Sequence, residues 1–469
     1  MTSVDASALK ASRKPSDAEL ARQFKAWQRK QPRETRSARS LARIDEDLKR
    51  RLTAELASLK RLSARDYELY HKRFQMREEL PKLSSKHLAW AKRLVWTPRS
   101  KGDFRRIDPE LLYVKPQVLV RSIGILGDVR NDALDPPDDL NTHWTILRHI
   151  VSSATHDGFV GRALRFLVRD RNSQQYLGIL CISGDMLDLK PRNDHIGWTR
   201  QQHTIEHRIN HLANVQTCVP TQPFGTLYNG GKLLALLALS DVVAKTWQDE
   251  YGDRLVGLST TSLWGNESDK SMYDGLKPRW LNTKDLSAVT DGKTSGSTLL
   301  LPDPDLYGEL RDWMRVRHPR AFWEHFVAMG SDGMMLKRDN KNRALSFCYT
   351  KLGISKKAVT SGHQRGVYYA PLYQQTNEFL RGEIDGSALR QKFPNQLSEL
   401  VNVWRADLIS GQPGIAKTRL NQLAAQKQWV VSQPRYYDAL ASLSWRQARQ
   451  MFGSTSQKKT LPVVITTGA

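Results

Sequence analysis

Cysteine is scarce in this chain. The three present among 469 residues, Cys181, Cys218 and Cys348, lie far apart in apolar or aromatic surroundings. An odd, dispersed set excludes a disulfide framework and predicts buried thiols in a reducing compartment. Long apolar runs are also missing, none approaching the ~18 residues that span a bilayer. The opening MTSVDASALKASRK has no apolar stretch of the kind a secretory signal needs. Together these absences predict a cytoplasmic protein with no membrane partner. The third shortage is of acid: 48 Asp and Glu face 72 Lys and Arg, a formal net charge of +24.

The excess is unevenly spread. Residues 1–100 carry a net charge of +13 and residues 401–460 carry +7, which leaves about +4 for the middle 300. Basic ends around a near-neutral body point to a polyanion partner, because each phosphate neutralised releases condensed counterions. Nucleic acid, DNA first, is the expected partner.

Three regions follow from the texture of the chain. Residues 1–109 read as a basic helical region. In LARIDEDLKRRLTAELASLKRL, positions Leu41, Ile44, Leu48, Leu52, Leu56, Leu59 and Leu62 fall on one stripe at spacings of three and four. Such a stripe fits a packing helix or a short coiled coil better than a reader of DNA. Residues 110–312 read as an α+β core. ALRFLVRDRNSQQYLGILCISG is a hairpin by pattern, followed by a helical stretch TRQQHTIEHRINHLA and a short strand QTCVP. A glycine turn, an apolar helix over 231–248 and a strand RLVGLSTTSL complete it. Residues 127–141, rich in Asp and Pro, read as a linker. Residues 313–469 read as a second basic, mainly helical region.

The glycine turn carries the first chemical suggestion. In FGTLYNGGKLLALLALS, residues Gly225, Asn229, Gly230, Gly231 and Lys232 lead into an apolar helix. A helix N-terminus offers unpaired amides and partial positive charge to a phosphate. The spacing is one residue too long for a P-loop, with Leu233 in place of the magnesium-binding hydroxyl, and no dinucleotide fingerprint is present. A tight turn serving close packing is the alternative. GQPGIAKT at 411–418 has P-loop spacing, yet Ala416 replaces a glycine and too little chain follows for a nucleotide-binding domain.

After the next strand, NESDKSMY places Asn266 and Tyr273 seven apart. Strand, glycine loop, helix, strand and this spacing resemble the GNAT acyltransferases. That resemblance implies a GNAT-like mixed sheet with a glycine loop clasping the phosphates of acyl-CoA or another phosphate-bearing acyl or aminoacyl donor. It also implies a tyrosine that protonates the leaving group. Over about 160–300, the segments DHIGW, VPTQPFG, NGGKLLALLALSDVVAKTW, YGDRLVGLSTTSLWG, MYDGLKPRW and DGKTSG resemble a family that contains the Druantia anti-phage protein DruA and phage-encoded members. This family is similar to the phage Mom protein, a GNAT-like enzyme that modifies adenine in DNA. Tyr273, Trp280, Gly292 and Gly296 match its later segments. Where relatives end a strand in acidic residues, this chain has Ser259, Thr260, Thr261 and Ser262.

The resemblance therefore implies a DNA-modifying acyl or aminoacyl transferase acting on a nucleobase. Gly225, Asn229, Gly230, Gly231, Lys232 and Asn266 would bind the donor. Tyr273 would be the general acid, and Asp194 or Ser262 would orient or deprotonate the acceptor amine. Partner proteins of a modification or defence system are implied as well. A non-enzymatic DNA-binding protein on a degenerate GNAT-like fold is the rival, and a phage structural or packaging protein is a third reading.

Other residues invite separate readings. HTIEHRINH sets His203, His207 and His211 at i, i+4 and i+8 and includes H-x-x-E-H, the inverted zinc-protease pattern, with Glu206 as base and His195 as a further ligand. A polar helix face is the plainer interpretation, and no metal is expected. Arg192, Asp194 and Trp198 could line a substrate site. Residues 349–366 carry a weak helix-turn-helix pattern.

Overall fold

The computed structural model describes residues 15–32, 36–63, 101–115, 139–151, 161–221, 224–262, 271–286, 299–329, 341–360 and 365–410. It also describes short stretches between 66 and 98 and residues 446–447. The chain forms two compact units, each discontinuous in sequence: residues 1–62 with 297–363, and residues 63–296 with 364–469.

The first unit is helical. Ser16 accepts from the Glu19 amide and Glu19 returns a bond to the Ser16 amide, a capping box that starts the helix Asp17–Arg29. Phe24 and Trp27 of that helix meet Trp323 and Phe322 of the helix Pro319–Phe326 at ring distances of 5.5 and 6.0 Å. The helix Ala38–Lys60 buries Leu48, Leu52, Leu56 and Leu59 of the anticipated stripe. It is tied to the helix Pro304–Arg317 by Arg51 on Glu309 and by Arg317 on Asp45 at 2.7 Å.

The second unit is the mixed α+β body that the sequence predicts. Among the described residues its sheet has six strands in chain order: β1 (Pro109–Val114), β2 (Ala163–Asp170), β3 (Tyr176–Gly184), β4 (Leu212–Pro220), β5 (Gly257–Ser262) and β6 (Gly366–Pro371). All neighbours are antiparallel except β4 and β5. The parallel pair needs a long crossover, and the helices Gly230–Leu237 and Asp241–Tyr251 supply it.

β3 is buried over eight of its nine residues because both sheet faces are covered. One face carries Leu164, Phe166, Leu180, Val215 and Leu258 under the crossover helices and Trp404 of the helix Leu397–Ser410. On the other face, Leu167, Ile179 and Cys181 pack with Trp144 and Leu147 of the helix Leu140–Val151. Leu212 and Tyr369 continue that face, against Ile196, Trp198 and Phe379. All three cysteines are buried free thiols. No helix among the described residues is long and apolar enough to cross a membrane.

Three sequence expectations are corrected. The helix expected over 231–248 is two helices, because Ser240 turns extended and its side chain caps Val243, starting Asp241–Tyr251 afresh. The expected helix through HTIEHRINH does not form. Gln201–Ile205 is a π-helical turn, His207 adopts a left-handed conformation at φ 56°, and Arg208–His211 is a 3-10 turn leading straight into β4. The basic second helix of the 349–366 pattern is one turn, Lys356–Val359, and the chain goes on to β6. GQPGIAKT and most of the 127–141 segment lie outside the described residues.

Candidate active site

β4 and β5 pair at only three positions, Leu212 with Gly257, Ala213 with Leu258 and Asn214 with Ser259. Beyond these β4 runs on to Pro220 and β5 to Ser262, with no further pairing between them. Tyr273 occupies the space where the ladder stops. Its hydroxyl lies within hydrogen-bonding reach of the Thr260 side chain on β5 and the Cys218 thiol on β4. Its ring packs 4.9 Å from Trp280 and 5.1 Å from Tyr368. Burial first, then the neighbouring thiol, holds the Tyr273 pKa well above 10, so the phenol is neutral. Burial likewise pushes Cys218 up to about 12, which keeps it a thiol.

The glycine turn lies beside this tyrosine. The residue before Tyr273, Met272, lies so close to Gly231 that a Cβ there would be 3.2 Å from the Met272 Cβ. Gly230 is tighter, its added Cβ standing 2.4 Å from the Phe224 ring. These two glycines thus serve close packing, as the plainer sequence reading holds. Asn229, at φ 51°, turns the chain into the helix, and its carbonyl accepts from the Lys232 amide at 2.9 Å. The amides of Gly230 and Gly231 make no hydrogen bond among the described residues. The Lys232 ammonium meets Asp407 at 3.2 Å and would be 3.2 Å from a Cβ on Gly275. Gly225 donates its amide to Thr221 at 2.8 Å. Both glycines are buried, so an anion reaches these two unbonded amides only where the packing parts, and it would compete with Asp407 for Lys232.

Two residues of this site were missed from sequence. Asp274 accepts from the Ser271 amide and from the Tyr368 hydroxyl, each at 2.9 Å, and so fixes the Tyr273 loop to β6. The only sequence signal is the Asp-Gly turn that directly follows Tyr273, and nothing in it announces Tyr368 as the partner.

Ser262 ends β5 two residues beyond Thr260, on the same sheet face. Asp194 is elsewhere: it sits on the helix Lys190–Ile196, paired with Lys190 at 2.5 Å, and that helix packs on the opposite face with Leu212 and Tyr369. Asn266 lies outside the described residues.

The opposite face has a charged cluster of its own. Asp185, just after β3, pairs with Arg192 at 2.5 Å, both side chains fully buried, and accepts from the Ser259 hydroxyl of β5. Arg192 also donates to the Met186 carbonyl at 2.7 Å and lies 5.7 Å from the centre of the Trp198 ring. Asp185 and Ser259 thus meet on the face away from Tyr273. His203 packs on Trp198 at 5.3 Å, whereas the His211 Nδ1 bonds the Arg254 carbonyl at 2.9 Å. No group of three or more His, Cys, Asp or Glu able to hold a metal occurs among the described residues.

No solved structure matches the chain. The Druantia protein DruA of Escherichia coli (strain UMEA 4076-1) is 28% identical over 249 residues, 49% of this chain and 56% of the relative. The chain thus matches little more than half the length of that curated relative. The family described as Druantia protein DruA matches residues 138–382. That span takes in β2 to β6, the glycine turn, Tyr273 and the buried Asp185–Arg192 pair, and it is just over half of the chain, which therefore belongs to the DruA family.

Proposed function

We propose that this protein is a DNA-modifying acyl or aminoacyl transferase of an anti-phage defence system. The observation that carries the reading is the Tyr273 hydroxyl, held between β4 and β5 where their pairing stops and adjoining a glycine turn whose first two helical amides make no hydrogen bond among the described residues. A parallel pair that parts in this way, with a helix start beside it, is the arrangement expected of a GNAT-like sheet.

The Gly230 and Gly231 amides and the Lys232 ammonium would hold the phosphates of the donor, with Asp407 yielding Lys232. The donor supplies an activated acyl or aminoacyl group. Tyr273, neutral and fixed by its neighbours, gives its proton to the leaving group as the new bond to the nucleobase amine forms, and the phenolate so produced takes the proton that the amine sheds, restoring the phenol. Ser262 on the same face accepts a hydrogen bond from that amine and orients it. Asp194, on the far side of the sheet, takes no part.

The test is mass spectrometry of nucleosides from the DNA of cells expressing the full chain, beside Tyr273→Phe. The expected result is a new modified nucleoside that disappears in the variant while DNA affinity is unchanged. A specific observation favours a second reading, a DNA-binding protein without chemistry: Tyr273 is sealed under Trp280 and Tyr368, and Lys232 already has a carboxylate partner. Unmodified DNA together with tight DNA binding in both proteins would select it.

A further inference from the structure

The leucine stripe of the helix Ala38–Lys60 is longer than the part of it that is covered. Leu48, Leu52, Leu56 and Leu59 are buried, but Leu41 and Ile44, one and two turns earlier on the same face, stay partly exposed. They line a groove of about 650 Å³ between this helix and Pro304–Arg317, whose side contributes Trp313 and the partly exposed Val316. Five arginines, Arg36, Arg43, Arg51, Arg315 and Arg317, and three carboxylates, Asp47, Glu309 and Asp312, stand around these apolar residues, which leaves the lining net positive. Arg51 pairs with Glu309, Arg315 with Asp312 at 3.3 Å and Arg317 with Asp45, and Arg36 is engaged as well. Arg43, exposed at the rim, makes no ion pair among the described residues.

We propose that this groove docks an acidic amphipathic helix of a partner protein. The inference rests on the first unit alone and is independent of the transferase reading. A stripe that begins two helical turns before its cover does is an unfinished helix–helix seam. An incoming helix with apolar residues at i, i+3, i+4 and i+7 completes such a seam. A phosphodiester backbone would leave Leu41, Ile44 and Val316 facing water and gain nothing from them.

Charge selects the sign of the partner. Residues 1–62 and 297–363 hold 27 Lys and Arg against 15 Asp and Glu, a net +12. The flanks of a helix entering between these arginines are therefore acidic.

The test uses the full chain and fluorescence anisotropy of a labelled synthetic peptide of Leu, Ala and Glu, with Leu at i, i+3, i+4 and i+7. A scrambled isomer of the same composition and a labelled DNA duplex serve as the comparison probes. The patterned peptide is expected to bind at least about tenfold more tightly than its isomer. Ile44→Asp should remove that preference, and Arg43→Glu should weaken binding severalfold. Arg43 is exposed and Ile44 partly exposed, and unchanged circular dichroism verifies that each variant keeps the fold. Equal binding of the two peptides, or binding indifferent to Ile44→Asp, would mean charge attraction alone and overturns the proposal. So does DNA that displaces the peptide and itself loses affinity in Ile44→Asp, which makes the groove a nucleic-acid site. A photo-crosslinker at Leu41 that captures residues 411–469 of the same chain would reveal an internal occupant and overturns it too.

Discussion

At Gly230 the backbone passes so near Phe224 that a methyl group would meet the ring at 2.4 and 2.6 Å and the Gly225 Cα at 3.1 Å. The ring cannot retreat freely, since Trp96, Tyr228 and Trp404 surround it at 5.5 to 6.5 Å. Gly230→Ala is expected to lower stability by about 1–3 kcal/mol through overpacking, read as a lower denaturant midpoint at unchanged slope. The sequence showed two glycines in this turn; that an aromatic cluster demands the first and Met272 the second is a fact of packing.

The histidines give a residue-scale prediction of a different kind. Burial lowers the pKa of His195, His203 and His211 below the ordinary 6.5. Each binds its proton more readily once unfolded, so acid favours the unfolded chain. Stability should be intact above pH 6.5 and decline as pH falls below it, levelling off beneath the depressed folded-state values. Thermal midpoints across pH 5 to 8 check this, and Asp and Glu titration enters only at lower pH. A midpoint unchanged between pH 7 and 5.5 would mean that these rings are better solvated than their packing implies.

Among elements, the crossover from β4 to β5 shows how far pattern reaches. The apolar run of 231–248 is helical in periodicity throughout, but Ser240 interrupts it. Its φ and ψ of −69° and 156° are extended, its hydroxyl takes the Val243 amide, and Asp241 donates its own amide to the Asn395 carbonyl at 3.1 Å. Ser240→Ala should cost about 1 kcal/mol through the lost cap, seen as a lower urea midpoint, with Ser240→Asp or Ser240→Asn recovering most of it. β2 and β3 were legible because alternating apolar residues bracket a polar turn. β6 was not: GVYYAP is a short run set within helical text, and it becomes a strand only because β5 offers an open edge to pair with. The histidine stretch fails in the opposite sense, because helical spacing persists in the letters while His207 turns left-handed and sends the chain into β4.

For the whole molecule, charge and connectivity matter most. The +24 was visible at once, and so was its concentration at the ends. Half of it gathers on one discontinuous unit, because residues 297–363 join the first 62. If the chain binds duplex DNA through this charge, the apparent affinity should drop by roughly a thousandfold or more between 50 and 200 mM salt, as six or more phosphate contacts require. Electrophoretic mobility shifts at several salt concentrations measure the slope. A shallow slope would remove the polyanion reading.

The sequence by itself determined the compositional and local features: buried thiols, no apolar helix of membrane-spanning length among the described residues, a mixed α+β body, the central hairpin and the likeness to the DruA family. Each of these depends on composition or on neighbours a few residues apart, where steric and hydrophobic preferences act directly. Only the tertiary structure decided that Tyr273 adjoins the glycine turn, that Asp274 anchors it through Tyr368, and that the sheet separates Asp194 from it. These relations hold between residues about forty to ninety-four positions apart, and they are set by which strand edges pair and which faces are left to pack.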